Sequence, residues 1–379
     1  MTAILSSPDT QSKLAILSQD SQYDLACSCG TNKQDHRRRS ANDTWLYPVS
    51  LPGGGHSILF KTLVSNYCTN DCKYCPLRTG QDVRRCTLTS EETVRAFMSY
   101  WKTGKVFGLF LTNAVAGTPD QAMEQMLVIA HRLRAKERFR GYLHMKIIPG
   151  ASDAAIEEAV RLSSAVSINL ETAGEARFRQ LSSRKRYMED IIHPLKLISR
   201  LTDEHGPYGR VKQTTQFVVG AADETDAELL KYTWGLYRRL NLSRVYFSAY
   251  QRGLGEYDLP GEHSQLSNRD LLMREHRLYQ ADWLFRKYHF SLEEIPLDKH
   301  GNLPLEIDPK EHWAQRHPDF FPINVNRADY EQLLRVPGLG IVTVRRLLAR
   351  RSSGTRFRTA NDLGFTGRRL QKAAAYLTF

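Results

Sequence analysis

The sequence predicts an α/β protein: a partial (β/α)6 barrel of the TIM type, preceded by an N-terminal extension and followed by a small all-α C-terminal domain. Three observations predict it. Six short apolar runs alternate with helix-length stretches, the pattern of βα units on a parallel sheet. A cysteine-rich loop follows the first run, and barrels of this kind carry function at the C-terminal ends of their strands. From Ile323 onward the chain changes character, to short helical segments broken by glycine turns and rich in arginine.

In chain order, residues 1–52 are a polar, basic extension or flap with a helix near Gln11 to Asp24 and the run His36, Arg37, Arg38, Arg39. The glycines Gly53, Gly54 and Gly55 open the barrel, residues 53–307. Its strands are expected at Ile58 to Val64, Val106 to Leu111, Tyr142 to Ile148, Val166 to Leu170, Thr214 to Val219 and Arg244 to Ser248, with helices near Glu91 to Lys102 and Asp120 to Ala135 between the first three. Six units are too few to close an eight-stranded barrel. Residues 308–322, DPKEHWAQRHPDFFP, read as an aromatic, proline-rich linker, and residues 323–379 as the C-terminal domain.

A chain of 379 residues with 41% apolar content suits one large and one small domain. No run of 18 apolar residues appears and the first twenty residues lack a leader pattern, so a cytoplasmic protein without a membrane span is expected. Six cysteines, three of them in one loop, fit a reducing compartment better than a disulfide framework.

That loop, VSNYCTNDCKYCPLR, places Cys68, Cys72 and Cys75 in a CxxxCxxC run with no fourth thiol. Structural zinc commonly takes two separated ligand pairs, and no second CxxC or HxxxH pair follows. Buried free cysteines pack as small hydrophobes, whereas Asn66, Thr69, Asn70, Asp71, Lys73 and Pro76 make this a loop. A 4Fe-4S cluster needs one ligand per iron, so three thiolates leave one iron open to a small molecule. Cys27, Cys29 and Cys86 are the spare thiols.

Net charge is +12, and residues 323–379 hold eleven Lys and Arg against three Asp and Glu. A local excess of this kind is the footprint of phosphate-backbone binding, although a solvated helical face gives the same count. Asn326 is a candidate N-cap for a first helix carrying Tyr330, Leu333 and Leu334; Pro337, Gly338, Leu339 and Gly340 turn the chain, and Ile341 to Arg350 form a second helix. Glycines let such a turn approach a phosphate, backbone N–H groups at the second helix's start bind the anion, and Arg345 and Arg346 add charge. A looser copy has Leu363 to Gly367 as turn and Arg368 to Leu377 as helix. An ordinary αα-hairpin is the structural alternative.

The cysteine spacing, with Tyr74 before the last thiol, resembles the signature of the radical S-adenosylmethionine (SAM) superfamily, and the hairpin resembles the helix-hairpin-helix motif of DNA repair proteins. Together with GLFLTNAVAGTPDQAMEQML, GYLHMKIIPGAS, SINLETA, TTQFVVGAADETD and VYFSAYQ, the chain is similar to putative DNA modification and repair radical SAM proteins. The resemblance implies SAM chelated on the open iron, its cleavage to a 5'-deoxyadenosyl radical, DNA as partner, and an electron donor such as flavodoxin or ferredoxin. It also implies SAM contacts from Thr112, Asn113, Asn169, Glu171, Gln216, Gly220 and Tyr74, although Thr-Asn-Ala stands where the family commonly has Ser-Ser-Gly. Lys146, Tyr246, Tyr250 and Arg252 are candidates to line the cavity, and Cys86 and Tyr250 are candidate radical relays. His144 reads equally as a core histidine. Two rivals stay open: action on RNA or a metabolite, and a non-enzymatic cluster protein that binds nucleic acid or senses redox state.

Overall fold

The predicted alternation resolves into one seven-stranded sheet, built in sequence order from β1 (Leu46–Ser50), β2 (His56–Leu63), β3 (Gly108–Thr112), β4 (Tyr142–Lys146), β5 (Ala165–Ser167), β6 (Lys212–Val219) and β7 (Arg244–Ala249). The computed structural model describes residues 8–21, 44–50 and 55–379. Strands β2 to β7 run parallel, each beside its successor in sequence, and β7 does not pair with β2. This is the open six-unit arrangement expected of a partial barrel. The run His36 to Arg39, with Cys27 and Cys29, lies outside the described residues.

Strand β1 was not expected. It pairs antiparallel with β2, Tyr47 facing Leu59, and contains Pro48. Proline offers no ladder N–H and is tolerated at a sheet edge, where its sequence signature is weak. Strand β5 stops short of the expected Leu170: the Leu170 N–H donates to Thr215 Oγ1 at 3.0 Å, and Glu171 adopts φ +68°.

Helix starts follow their capping chemistry. Helix α1 (Thr10–Asp20) is capped by Asp9, and the last expected positions, 22–24, lie outside the described residues. Thr89 with Glu92, and Thr118 with Gln121, form reciprocal capping boxes on α2 (Ser90–Lys102) and α3 (Pro119–His131). Val94, Phe97 and Met98 bury one face of α2, and Phe97 meets Phe60 of β2 edge to face at 5.9 Å. Helices α4 (Asp153–Leu162), α5 (Glu175–Leu181), α6 (His193–Leu201) and α7 (Asp226–Leu240) complete the crossovers. The connections are the helices that parallel strands require.

The chain divides into two compact units, Met1–Glu224 with Gly235–Leu272, and Thr225–Trp234 with Met273–Phe379. The boundary expected at residues 307 and 308 falls inside the second unit. That unit contains most of α8 (Asn268–Lys287), then α9 (Pro309–Arg316), α10 (Tyr330–Arg335), α11 (Ile341–Ser352) and α12 (Arg368–Ala374). The segment read as a linker therefore carries a helix, capped by Asp308. The C-terminal region is also not purely α: β8 (Ile323–Asn324) and β9 (Leu377–Thr378) pair in parallel. That pairing draws Leu377 out of the last helix. Asn326 is not an N-cap; Asp329 caps α10 in a box with Gln332, while Asn326 bonds both the N–H and the carbonyl of Phe357.

Candidate metal centre and cofactor cavity

The cysteine loop leaves the C-terminal end of β2 and is held from several sides. The Ser65 N–H donates to Asn113 Oδ1 at 2.9 Å, which ties the loop's start to the end of β3. Asn66, with no exposed surface, spends its whole amide: Nδ2 donates to Asp20 at 2.7 Å and to the Arg84 carbonyl at 2.8 Å, and Oδ1 accepts from the Cys86 N–H. Arg78 clasps the carbonyls of Cys75 and Leu254 and the carboxylate of Glu256. Arg85 donates to the carbonyls of Asn66, Leu77 and Arg78. Charge-assisted bonds of this kind fix a loop that has no regular ladder of its own.

Asp71, in the middle of the loop, accepts from the hydroxyls of Ser182 and Ser183 and from the Ser183 N–H. Burial alone would raise its carboxyl, but these donors outweigh it and hold the group down to about 2. The consequence is positional. Pinning residues 182–184 brings the next side chain, Lys185, to the loop.

Cys68, Cys72 and Cys75 line one cavity with Tyr74, Lys185, Lys146, Asn169, Glu171 and Gln216. Its floor comes from the C-terminal ends of the parallel strands, and Ile147, Ile148, Pro149 and Val218 make its apolar wall. Asp20 and Ser21 of the extension also line it. Burial pushes the Cys72 thiol up and that of Cys75 up to about 12, with Cys72 itself adding to the latter. Lys185 would be lowered by burial but is held above its ordinary value by Cys72, with which it hydrogen-bonds, and Glu171. Tyr74 is raised well above its usual range by burial and by Glu171, its hydrogen-bond partner. Burial also raises the Asp20 carboxyl, partly offset by Asn66 and Arg85.

Among the described residues no group of three or more His, Cys, Asp and Glu side chains is arranged to hold a single metal ion. Three thiols spread around one cavity suit instead a polynuclear cluster, in which each thiolate takes a different iron. Cys72 and Cys75, raised by burial, also need a metal's charge to become thiolates. The donor set fits a 4Fe-4S cluster with one iron unliganded by protein.

The hairpin lies wholly in the second unit. Gly338 takes φ +82°, which the turn needs, and a Cβ there would press on the Arg369 carbonyl. Leu339 is buried and its carbonyl accepts from Lys310 Nζ at 2.6 Å. Gly340 precedes α11 without a side-chain cap, and the Tyr288 hydroxyl accepts from the Ile341 N–H. Arg345 and Arg346 are exposed, and Arg346 donates to the Gly364 carbonyl at 3.1 Å. Gly364 and Gly367 both take positive φ in the second turn.

No family model matches the chain, and no curated protein does. Solved structures similar to it include methylornithine synthase PylB, 14% identical with a TM-score of 0.45 over 59% of this chain and 62% of that one. The FeFe-hydrogenase maturase HydG from Carboxydothermus hydrogenoformans is 14% identical, with a TM-score of 0.47 over 60% of this chain and 51% of that one. The radical S-adenosylmethionine methyltransferase TsrM from Kitasatospora setae is 15% identical, with a TM-score of 0.38 over 50% of this chain and 35% of that one. The matches thus span between about a third and three fifths of those chains.

Of the residues picked out in sequence, the three cysteines, Tyr74, Thr112, Asn113, Lys146, Asn169, Glu171 and Gln216 meet at the cavity. Asn113 is already spent, since Nδ2 donates to the Ala122 carbonyl and to Gln125 while Oδ1 accepts from Ser65. Gly220 is not among the lining residues; it makes a turn at φ +81° and donates to Glu224. Cys86 and Tyr250 do not line the cavity either. Cys86 is buried beside Asn66, and the Tyr250 hydroxyl donates to Glu262 while its ring packs near Tyr74. Arg252 donates to the Ser264 carbonyl. His144 is a core residue, bonded to Ser167 and Tyr142 and lying 4.3 Å from the Phe110 ring. Lys185 and Asp20 were missed, for neither sits in a motif.

Proposed function

We propose that this chain is a radical SAM enzyme that acts on DNA. The observation that carries the first half is the convergence, at the ends of parallel strands, of the three CxxxCxxC thiols with Lys185, Lys146, Asn169 and Gln216 in one cavity. Cys68, Cys72 and Cys75 would hold the cluster. Held by these three cysteines and reduced, the cluster would supply the one-electron chemistry that cleaves SAM for hydrogen-atom abstraction from a substrate. The chain's own residues bind and orient. Lys146 and Lys185 suit a ligand carboxylate, the amides of Asn169 and Gln216 suit ribose or adenine edges, and Tyr74 offers a ring face. The wall of Ile147, Ile148 and Val218 keeps water from a reactive species.

DNA as the substrate class rests on the C-terminal hairpin: a glycine turn, the exposed Arg345 and Arg346 in the first turns of α11, and the local charge excess. A base would have to be unpaired or flipped to be reached. An acidic one-electron donor such as flavodoxin or ferredoxin completes the proposal. No helix among the described residues is long and apolar enough to cross a membrane.

The test is 5'-deoxyadenosine formation by anaerobically reconstituted, reduced protein with damaged or undamaged DNA, RNA or no nucleic acid. A variant with all three loop cysteines changed to Ala is the blank. Product that rises with DNA supports the reading. Product indifferent to DNA sinks its second half, and product no greater than the blank sinks both.

A further inference from the structure

Tyr257 is the most exposed of the Phe, Tyr and Trp side chains among the described residues, at 83% against 50% for Tyr67. Side chains this open usually ride on loose loops, but the strap that carries this one, residues 251–264 after β7, is firmly seated. Glu262 accepts from the Tyr250 hydroxyl and from the N–H groups of Gly253 and Gly255, at 2.9 and 3.1 Å. Leu259 has no exposed surface and packs with Leu181, Val218 and Ala221. At Gly255 and Gly261 a Cβ would strike the Tyr250 hydroxyl and the Gly220 carbonyl, so the strap's backbone lies close on what is beneath it.

The strap is fastened to the cysteine loop on either side of Tyr257. The Glu256 N–H donates to the Lys73 carbonyl at 2.9 Å, and Asp258 pairs with Lys73 Nζ. Lys73 stands between Cys72 and Cys75. His263 Nε2 donates to the Tyr257 carbonyl at 2.6 Å, and the two rings meet edge to face at 4.8 Å. Tyr257 does not line the cavity. Its ring is a fixed aromatic surface outside it, beside the loop that carries the cluster ligands.

Charge decides what such a surface can take. The strap's three carboxylates face three cations: Arg78 pairs with Glu256, Lys73 with Asp258, and Arg252 acts on Glu262 through its charge. These charges cancel, which leaves no surplus to draw a phosphate, whereas a neutral ring offers its face to a base. A base drawn out of the stack to be reached leaves its neighbour with an uncovered face. We infer that Tyr257 stacks on an unpaired base next to the one that enters the cavity. The inference rests on the DNA reading above. A ring already held in place loses little conformational freedom on stacking, so ordering offsets little of the gain.

The test is equilibrium binding of a single-stranded oligodeoxynucleotide of mixed sequence, and of its intact duplex, to the anaerobically reconstituted full chain. Wild type is compared with Tyr257→Ala, Tyr257→Leu and Tyr257→Phe, with iron content and melting temperature as checks that these exposed substitutions leave the fold alone. Tyr257→Ala and Tyr257→Leu should each lose roughly tenfold in affinity for the single strand, the size of one base stack. Tyr257→Phe, which keeps the ring, should bind as the wild type does. The intact duplex presents no open base face, so its affinity should not change. The loss should also be the same at low and high salt, because the contact carries no charge. Single-strand affinity untouched by Tyr257→Ala, equal loss in Tyr257→Phe, or an equal loss for the duplex would each overturn this inference while leaving DNA binding in place. A wild type that binds neither form of DNA overturns the DNA reading, and this inference with it.

Discussion

Cys68, Cys72 and Cys75 are set apart from Cys86 by where they face: the first three line the cavity, while the buried Cys86 thiol faces the Lys13 carbonyl of α1 at 4.0 Å. Changing any one of the three to Ala should abolish the iron content and visible absorbance of reconstituted protein. Cys86→Ala should keep both and cost about 1 kcal/mol in a denaturant melt, the price of a small buried void. Iron lost on Cys86→Ala alone would contradict the assignment. The three ligands were legible because their spacing is local. Lys185 was not, because what places it is Asp71, 111 to 112 positions away from the serines it holds. Asp71→Ala should leave those donors without their acceptor and lower stability by roughly 2 kcal/mol, with SAM affinity falling as Lys185 loses its support. A variant that binds SAM as well as the wild type would show that the turn holds itself.

At the scale of elements, the parallel strands were readable because buried strands form short continuous apolar runs, as Leu109 to Leu111 does. Edge strand β1 and the true cap of α10 were not, since proline weakens one signal and Asn326 competes with Asp329 for the other. Attachment of α1 makes a pH prediction. Burial works to raise the Glu92 carboxyl, but the Thr89 N–H, Lys13 and Thr10 outweigh it and hold the group below its ordinary 4.5. A lowered folded value means the attachment is complete above the ordinary glutamate range and is lost as pH falls through and below it. Hydrogen exchange in α1, corrected for intrinsic rate and referred to α3, should quicken at acid pH. Glu92→Gln should exchange quickly already at neutral pH; an α1 indifferent to both would refute the tether. The hairpin offers a paired test. Gly338 and Gly354 share positive φ, +82° and +87°, but only at Gly338 would a Cβ meet backbone, the Arg369 carbonyl at 2.7 Å. Gly354→Ala should cost about 1 kcal/mol and Gly338→Ala at least about 2, compared by thermal melts.

For the whole molecule, net charge is a poor guide to how many cations remain to meet a phosphate. Six of the eleven basic side chains after residue 322 have internal partners. Arg335 pairs with Glu294, and Lys372 with Asp308 and Glu311. Arg346, Arg350, Arg351 and Arg369 donate to backbone carbonyls. The guanidinium groups of Arg327, Arg345, Arg356, Arg358 and Arg368 have no such partner among the described residues. Each phosphate neutralised adds about 0.9 to the slope of log affinity against log salt. If the C-terminal region holds DNA, its contribution to that slope should thus be near four or five, about half what the composition suggests. Changing the five unpartnered arginines together to Gln should flatten the slope by that amount with little change in melting temperature. Arg351→Gln, which removes donors from the Val325 and Ala328 carbonyls, should instead lower the melting temperature and leave the slope nearly as it was. A slope untouched by the fivefold change would mean that this region does not carry the DNA, however basic its sequence.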